Sequence, residues 1–444
     1  MKSRRASWSG HLGFVLAASA SAIGLGNLWR FPACAAGHGG GVFLVLYILL
    51  VICFGIPLLT TEIALGRRTR RSPSRTFRKL NKRWWFAGAL AMAIPAIILP
   101  YYCVVGGWVT KYFVASFAQG TAALDFMAWS AQPWSVGAYS LAFALATIVL
   151  ILLGVRQGIE KSNHVMMPAL LLLTIGTAVF VVCQKDMSAG LGYYLMPDLS
   201  RFSADGAFSW SALAKTLLSA MGQMFFSLSI AMGIMITYGS YVPKDDSIPK
   251  ASSRIAFCDT FVALLAGVII IPAAYAFGGT ELAEKSGVGL MFVSLPKVFA
   301  AMHFGRFVEA AFFTLVLFAA LTSAISLAET VTSSLCDFTL WPRRRCALIT
   351  FAWMVLAGTP SVLSMGALEG CDFLADIILM PVCAFLTCIF VGWVAKSHVV
   401  LDEIGEQRPF ARTAYRVFIR YLAPVFIAVV FVAGLLNALG VVTL

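Results

Sequence analysis

The chain has 444 residues, of which 60% are hydrophobic and 12% are charged, and its mean hydropathy is +0.87. A soluble domain is nearer 45–50% apolar and about 25% charged, so these values exclude a soluble globular protein. They indicate an all-α protein that crosses a membrane many times.

The apolar stretches predict eleven transmembrane helices, here called spans 1 to 11 in chain order, at about 20 apolar residues per crossing. Their predicted bounds are 11–37, 41–66, 87–118, 137–155, 164–184, 210–240, 252–279, 306–337, 346–366, 372–397 and 417–440. We expect no cleavable signal peptide, because Met1-Lys-Ser-Arg-Arg leads directly into span 1 without a small-residue cleavage site.

The basic residues predict the orientation of the chain. The linker after span 2, RRTRRSPSRTFRKLNKR, is densely basic, and the linkers after spans 4, 6, 8 and 10 also carry Lys or Arg. The alternate linkers are poor in both, so the positive-inside rule places the N-terminus in the cytoplasm and the C-terminus outside it. We expect the protein to lie in a bacterial-type inner (cytoplasmic) membrane. The formal charge of +13 is explained by the basic cytoplasmic linkers and does not indicate a nucleic-acid partner.

Two spans are interrupted at corresponding places. Span 1 contains SASAIGLGNLWRFP at 19–32, and span 6 contains SLSIAMG at 227–233. An offset of five helices reverses membrane orientation, so the two halves form a predicted 5+5 inverted repeat, and matched breaks of this kind indicate a transporter's binding site. The expected regions are a cytoplasmic tail (1–10), a first repeat (11–184), an extracellular loop (185–209), a second repeat (210–397), a cytoplasmic loop (398–416) and an eleventh helix (417–444).

A broken helix at mid-membrane exposes amide groups that suit an anion and carbonyl groups that suit a cation. Ionisable side chains inside a membrane are costly and usually functional, whereas a hydroxyl in a helix usually bonds its own preceding turn. Polar side chains that could complete such sites are Asn27, Glu62, Ser227, Ser229, Asp259, Thr322 and Ser323.

Several long motifs follow one another along the chain: GLGNLWRFP, GGGVF, GIPLLTTEIALGR, PYYCVVGGW, GQMFFSLSIAMGIMITYGSY, FCDTFVALLAG, LFAALTSAISLAETVTSSLCD and CDFLADI. They resemble the neurotransmitter:sodium symporter family, and its bacterial amino-acid transporters of the leucine and tryptophan type in particular. The resemblance covers essentially the whole chain in order. It implies the leucine-transporter fold with discontinuous helices 1 and 6, and a symporter rather than an enzyme.

The resemblance also implies two sodium sites. The first would consist of the Ala22 carbonyl, Asn27, Ser227 and Asp259, together with the substrate's carboxylate. The second would consist of the carbonyls of Ala20, Ile23 and Ala319 and the hydroxyls of Thr322 and Ser323.

Chloride-dependent relatives resemble one another in a serine one turn after the Asp259 position, where this chain has Ala263. Tyr47, Gln223 and Ser227 match the other chloride partners, so we expect the Asp259 carboxylate to replace chloride.

An amino-acid substrate is implied because monoamine members of the family carry an Asp where this chain has Gly24. Nothing charged lines the expected pocket, and Met232 leaves room for a ring, which favours large hydrophobic or aromatic amino acids, tryptophan included. The expected substrate-binding residues are Ala22, Leu25, Gly26, Ile98, Tyr102, Phe226, Ser229, Met232, Ser323 and Leu327.

The resemblance implies an outer ion pair between Arg30 and Asp372, bridged by water, above a lid of Tyr102 and Phe226. The inner gate would pair Arg5 with Asp337, and Arg4 could take the place of Arg5. Trp8, Ser240 and Tyr241 would surround that pair. We expect Glu62 to accept hydrogen bonds from the interrupted backbone of span 6, whereas Glu329 has no assigned role.

Other classes of protein remain as alternatives. An intramembrane enzyme needs a motif such as His-Glu-x-x-His, which the five scattered histidines do not form. A channel needs a continuous polar pore, and a substrate sensor would share the same site without transport. Within the transporters, the alternative is proton-coupled or sodium-independent transport, because Asp259 and Glu62 could carry protons.

The ten cysteines show no metal-site spacing, and we expect them to be buried apolar residues.

Overall fold

The computed structural model describes residues 7–204, 207–284, 287–405 and 409–438. These residues are overwhelmingly helical. The short strands β1 (Ser203–Ala204) and β2 (Ala207–Phe208) pair antiparallel between spans 5 and 6. The predicted all-α class is confirmed.

Among the described residues, nine continuous helices are long and apolar enough to cross a membrane, and they contain spans 2 to 5 and 7 to 11. Their bounds are Gly41–Thr69, Lys82–Ala118, Pro133–Leu152, Val155–Val182, Ile248–Ala276, Gly305–Thr339, Arg343–Leu363, Met365–Val394 and Pro409–Leu436. Most begin before their predicted first residue, because a helix continues into polar residues that a hydropathy criterion leaves out.

Spans 1 and 6 are broken where the sequence predicts. Span 1 consists of His11–Ala22 and Gly26–Gly37, which are bent by 50°. Span 6 consists of Trp210–Ser227 and the short helix Ile234–Gly239. The remaining short helices of the described residues lie in the linkers and are Pro73–Leu80, Phe126–Ser130, Ser188–Leu195, Leu199–Phe202, Gly287–Gly289, Leu290–Ala301 and His398–Leu401.

The spans pack in two groups. Spans 1, 2, 6 and 7 contact one another, spans 3, 4, 8 and 9 form a second set of neighbours, and span 5 packs against spans 1, 7 and 8. Span 1 also contacts span 8, so the broken helices face the second group across the middle of the bundle. The protein is therefore a multi-pass membrane protein whose two irregular segments are enclosed by other helices, as a hydrocarbon environment requires.

Candidate functional site

The break in span 1 is an extended turn. Ile23 adopts φ −73° and ψ 101°, and the helix resumes at Gly26. The Gly24 N–H donates to Asn27 Oδ1 at 3.0 Å, which occupies one of the amides that the break exposes. A Cβ atom on Gly24 would lie 2.5 Å from the Ser323 hydroxyl, so the close approach of span 8 leaves no room for a side chain there.

The break in span 6 depends on left-handed backbone. Ser229, Ala231 and Gly233 have φ values of 53°, 67° and 68°, a conformation that costs energy for residues other than glycine. Glu62 from span 2 compensates, because its buried Oε1 accepts the Ala231 N–H at 2.7 Å. The predicted hydrogen bond from the interrupted span 6 backbone to Glu62 is confirmed.

One cavity lies between the two breaks. All ten residues predicted to bind substrate line it, and four further residues complete the lining: Ser21, Gly24, Ser227 and Ile234. None of these fourteen lining residues carries a formal charge. The polar groups that face the cavity are therefore backbone groups and hydroxyls.

Hydroxyl groups surround one end of the cavity. Ser229 and Ser323 both donate to the Ser21 carbonyl, at 3.3 and 3.2 Å, so spans 6 and 8 bind the same point of span 1. The Tyr102 hydroxyl is buried and borders the cavity beside the Leu25 backbone and the Ser323 side chain. It is placed to donate a hydrogen bond to a ligand in the cavity.

Two residues predicted for the first sodium site, Asn27 and Ser227, converge on the carboxylate of a third, Asp259. Asn27 Nδ2 donates to Asp259 Oδ1 at 2.7 Å, and the Ser227 hydroxyl lies 2.9 Å from Asp259 Oδ2. The Tyr47 hydroxyl donates to the same oxygen at 3.4 Å. Asp259 is completely buried, so the cluster joins spans 1, 2, 6 and 7 around a negative charge, which suits a hard cation.

The residues predicted for the second sodium site lie where span 8 meets the first half of span 1. Ala20, Ile23, Ala319 and Thr322 are fully buried, and the Thr322 hydroxyl donates to the Ala319 carbonyl at 3.0 Å. Ser323 bridges to span 1 as described above. The set therefore offers carbonyl and hydroxyl oxygens without a formal charge, a chemistry that fits a monovalent cation.

Arg30 has a direct partner in span 10 that the sequence did not predict. Arg30 Nη2 lies 2.6 Å from Asp376 Oδ2, whereas Asp372 accepts the Tyr101 hydroxyl at 2.8 Å. Asp376 is one helical turn beyond Asp372, and the water-bridged pair of Arg30 with Asp372 stays a prediction. The Arg30 guanidinium also lies 4.9 Å from the centre of the Phe226 ring, which borders the cavity.

At the other end of the cavity, Trp8 is buried and anchors the start of span 1. Its indole N–H donates to the Tyr238 carbonyl at 3.1 Å, and its backbone N–H donates to the Tyr241 carbonyl at 3.2 Å. Ser240 follows the short second half of span 6, and its hydroxyl donates to the Thr237 carbonyl at 2.5 Å.

The predicted inner ion pair concerns Arg5, which lies outside the described residues. Its predicted partner Asp337 accepts from Arg71 Nη1 at 3.1 Å and from the Ser72 N–H at 2.7 Å.

Sequence reasoning missed the role of Glu329. This buried carboxylate accepts the Tyr241 hydroxyl at 2.7 Å and two bonds from Arg343, at 2.9 and 2.5 Å. Arg343 belongs to the basic linker after span 8, from which only the topology was predicted. An acidic residue inside span 8 was the available signal, and its partner starts the next span.

Two broken helices that line one enclosed cavity, beside a buried carboxylate, define a secondary transporter with an inverted repeat. The Sodium:neurotransmitter symporter family matches residues 5–136 and 132–441. The chain belongs to this family of sodium-dependent transporters.

Relatives and a solved structure resemble the chain over nearly its full length. An uncharacterized sodium-dependent transporter of Bacillus subtilis, YhdH, is 31% identical over 98% of both chains. A second one, MJ1319 of Methanocaldococcus jannaschii, is 30% identical over 99% of this chain and 92% of its own. The crystal structure of MhsT in complex with L-phenylalanine matches with a TM-score of 0.87 at 33% identity, over 97% of this chain and 100% of that one.

Proposed function

We propose that this protein is a symporter that couples the import of a hydrophobic or aromatic L-amino acid to sodium by alternating access, without chloride. The uncharged cavity between the two breaks carries the proposal, because it offers backbone amides and carbonyls to a zwitterion and apolar walls to its side chain. The bound L-phenylalanine in MhsT supports the same class of substrate.

In the proposed complex, the substrate carboxylate binds the amides of Leu25 and Gly26 and the Tyr102 hydroxyl. The ammonium binds the Ala22 carbonyl, carbonyls of the span 6 break and the Ser229 hydroxyl. The side chain packs against Ile98, Phe226, Met232, Ser323 and Leu327. A charged side chain would lose its hydration without gaining an opposite charge, so acidic and basic amino acids are rejected.

Two sodium ions are proposed as coupled cargo. The first binds at Ala22, Asn27, Ser227 and Asp259, and the substrate carboxylate completes its shell. The second binds at Ala20, Ile23, Ala319, Thr322 and Ser323. Because the first ion and the substrate share ligands, each raises the affinity for the other by the same factor. Each sodium ion that moves inward across 100 mV contributes about 2.3 kcal/mol.

Alternating access is proposed to move spans 1, 2, 6 and 7 against the rest. Arg30 and Asp376 close the outer side, and Asp372 holds Tyr101 beside them. Trp8, Ser240, Tyr241 and Asp337 close the inner side, with Arg5 as a further candidate. The N-terminus is placed in the cytoplasm, and the C-terminus outside it.

Uptake of labelled amino acids into liposomes that contain the purified protein tests this function. We expect accumulation with an inward sodium gradient, competition by unlabelled tryptophan or leucine, and the same rate when gluconate replaces chloride. Accumulation driven by a proton gradient alone would refute sodium coupling, and a loss of uptake without chloride would refute the proposed role of Asp259.

A further inference from the structure

At the start of span 11, side chains of three kinds follow one another along the helix. Arg412 and Arg416 lie on successive turns of a short polar segment, and Arg420 follows one turn later. Trp393 of span 10 and Tyr421 come next, with ring centres 5.6 Å apart. More than half of each apolar side chain is exposed along the rest of this helix face, at Leu422, Val425, Val429 and Val432.

Trp393 and Arg420 hold each other in place. The Trp393 indole N–H donates to the Arg420 carbonyl at 3.2 Å, and Arg420 Nε donates to the Gly392 carbonyl at 2.8 Å. The guanidinium carbon lies 5.2 Å from the centre of the indole ring. We call Trp393, Arg412, Arg416, Arg420 and Tyr421 the basic–aromatic rim. Hydrogen bonds within the protein fix the positions of Trp393 and Arg420 in this rim.

A second set of cations borders the rim. Arg78, Lys82 and Arg83 are exposed in the linker between spans 2 and 3. Trp84, the next residue, packs against Phe390 of span 10 at a ring distance of 5.3 Å, and Phe77 does so at 5.0 Å. Phe390 lies one turn before Trp393, so this linker and the rim meet at the same end of span 10.

These cations differ from the other arginines at this end of the bundle. Arg67 and Arg68 pair with Glu403, and Arg71 pairs with Asp337. By contrast, no ion pair is formed within the described part of the chain by Arg78, Lys82, Arg83, Arg412 or Arg416. Their charges are therefore available to a ligand outside the protein.

We propose that the basic–aromatic rim binds a membrane phospholipid whose headgroup is net negative, in preference to a zwitterionic one. Guanidinium groups pair bidentately with phosphate, and aromatic rings favour the headgroup level of a bilayer. The exposed apolar face of span 11 continues the rim in the direction that an acyl chain takes. The positive-inside rule accounts for the side of the membrane, but not for this ordered sequence of cation, ring and apolar groups. The site lies outside the transport cavity and does not depend on the proposed substrate.

Native mass spectrometry of the purified full-length protein tests the site, with phosphatidylglycerol and phosphatidylcholine of identical acyl chains in competition. We expect phosphatidylglycerol to be retained preferentially. Each basic residue near an anionic surface strengthens binding about fivefold, so Arg412→Gln with Arg416→Gln should weaken phosphatidylglycerol binding about 25-fold. The binding of phosphatidylcholine should stay unchanged.

The matched control is Lys250→Gln with Arg254→Gln, which removes the same charge from exposed residues at the start of span 7. If both double variants lose phosphatidylglycerol equally, the binding reflects general charge attraction and the proposed site is wrong. Equal retention of the two lipids by the unmodified protein would also contradict the proposal.

A second measurement leaves all the arginines intact. Brominated lipids quench the fluorescence of nearby tryptophans. The contribution of Trp393 is the quenching that is lost in the Trp393→Phe variant. This contribution should be larger with brominated phosphatidylglycerol than with brominated phosphatidylcholine. Equal contributions would contradict the proposal.

Discussion

The Asn27 amide of the broken span 1 donates to the Asp259 carboxylate of span 7 across 2.7 Å. Ser227, at the end of the first half of span 6, donates to the same carboxylate at 2.9 Å. One buried negative charge thus joins both broken helices to a continuous one. With Tyr47 of span 2, which donates to the same carboxylate, the cluster has members in four different spans. The binding of a cation here is therefore coupled to the relative positions of these spans.

Replacing Asp259 with asparagine should weaken sodium activation of transport at least tenfold, which corresponds to about 1.4 kcal/mol. The reason is that a cation in a buried site needs an opposite charge. The sodium concentration that gives half-maximal uptake measures this effect. Glu309→Gln is the control, because Glu309 is equally buried but binds the Thr121 N–H, away from the cavity. Unchanged sodium dependence in Asp259→Asn would contradict the first sodium site.

Glu62 can be tested as a structural acceptor or as a proton carrier. Glu62→Ala leaves the buried Ala231 N–H without its partner and should destabilise the fold by about 1–3 kcal/mol, with a loss of transport. Glu62→Gln retains an acceptor oxygen and should keep most of the sodium-driven uptake. Thermal unfolding in detergent and liposome uptake measure the two effects. If Glu62→Gln abolishes uptake while the protein remains folded, proton carriage by Glu62 gains support and the structural role alone is insufficient.

The two aspartates of span 10 should differ in effect. Asp376→Asn removes the direct partner of Arg30, whereas Asp372→Asn weakens only the bond from Tyr101. We expect the rate of substrate dissociation towards the outside to rise more in Asp376→Asn, by about fivefold for a lost interaction of about 1 kcal/mol. Dilution of substrate-loaded protein measures this rate. The reverse order of the two variants would show that Asp372 is the gate residue after all.

Glu329 and Arg343 form a pair that can be tested by a double-mutant cycle. In Arg343→Gln the fully buried Glu329 carboxylate keeps the hydrogen bond from the Tyr241 hydroxyl but loses its positive partner. The free energy of unfolding should fall by about 3–5 kcal/mol. Adding Glu329→Gln removes the unpaired charge and should restore a large part of that loss. The unfolding temperatures of the two single variants and the double variant report the coupling. Strict additivity would show that the two residues do not act as a pair.

The interrupted spans could be predicted from the sequence because their cause is local. Irregular backbone is tolerated at membrane depth only where it is buried in protein or lines a cavity, so two matched breaks in apolar spans indicate a lined cavity. The motifs around them then indicated which residues share the cavity, and all ten expected lining residues lie there. The hydrogen bond to Glu62 could be predicted for the same reason, because the free amides of a broken helix need acceptors.

Tertiary structure decided the partners of the long charged side chains. Arg30 reaches Asp376 rather than Asp372 because both acids lie on one face of span 10, and only the tilt and depth of the helices select between them. Glu329 was left without a role because Arg343 lies 14 residues further along the chain, in a different span. The sequence by itself determined the membrane class, the breaks and the residues around the cavity, since hydropathy and local backbone chemistry govern them. Ion pairs depend on distances across spans, which only packing sets.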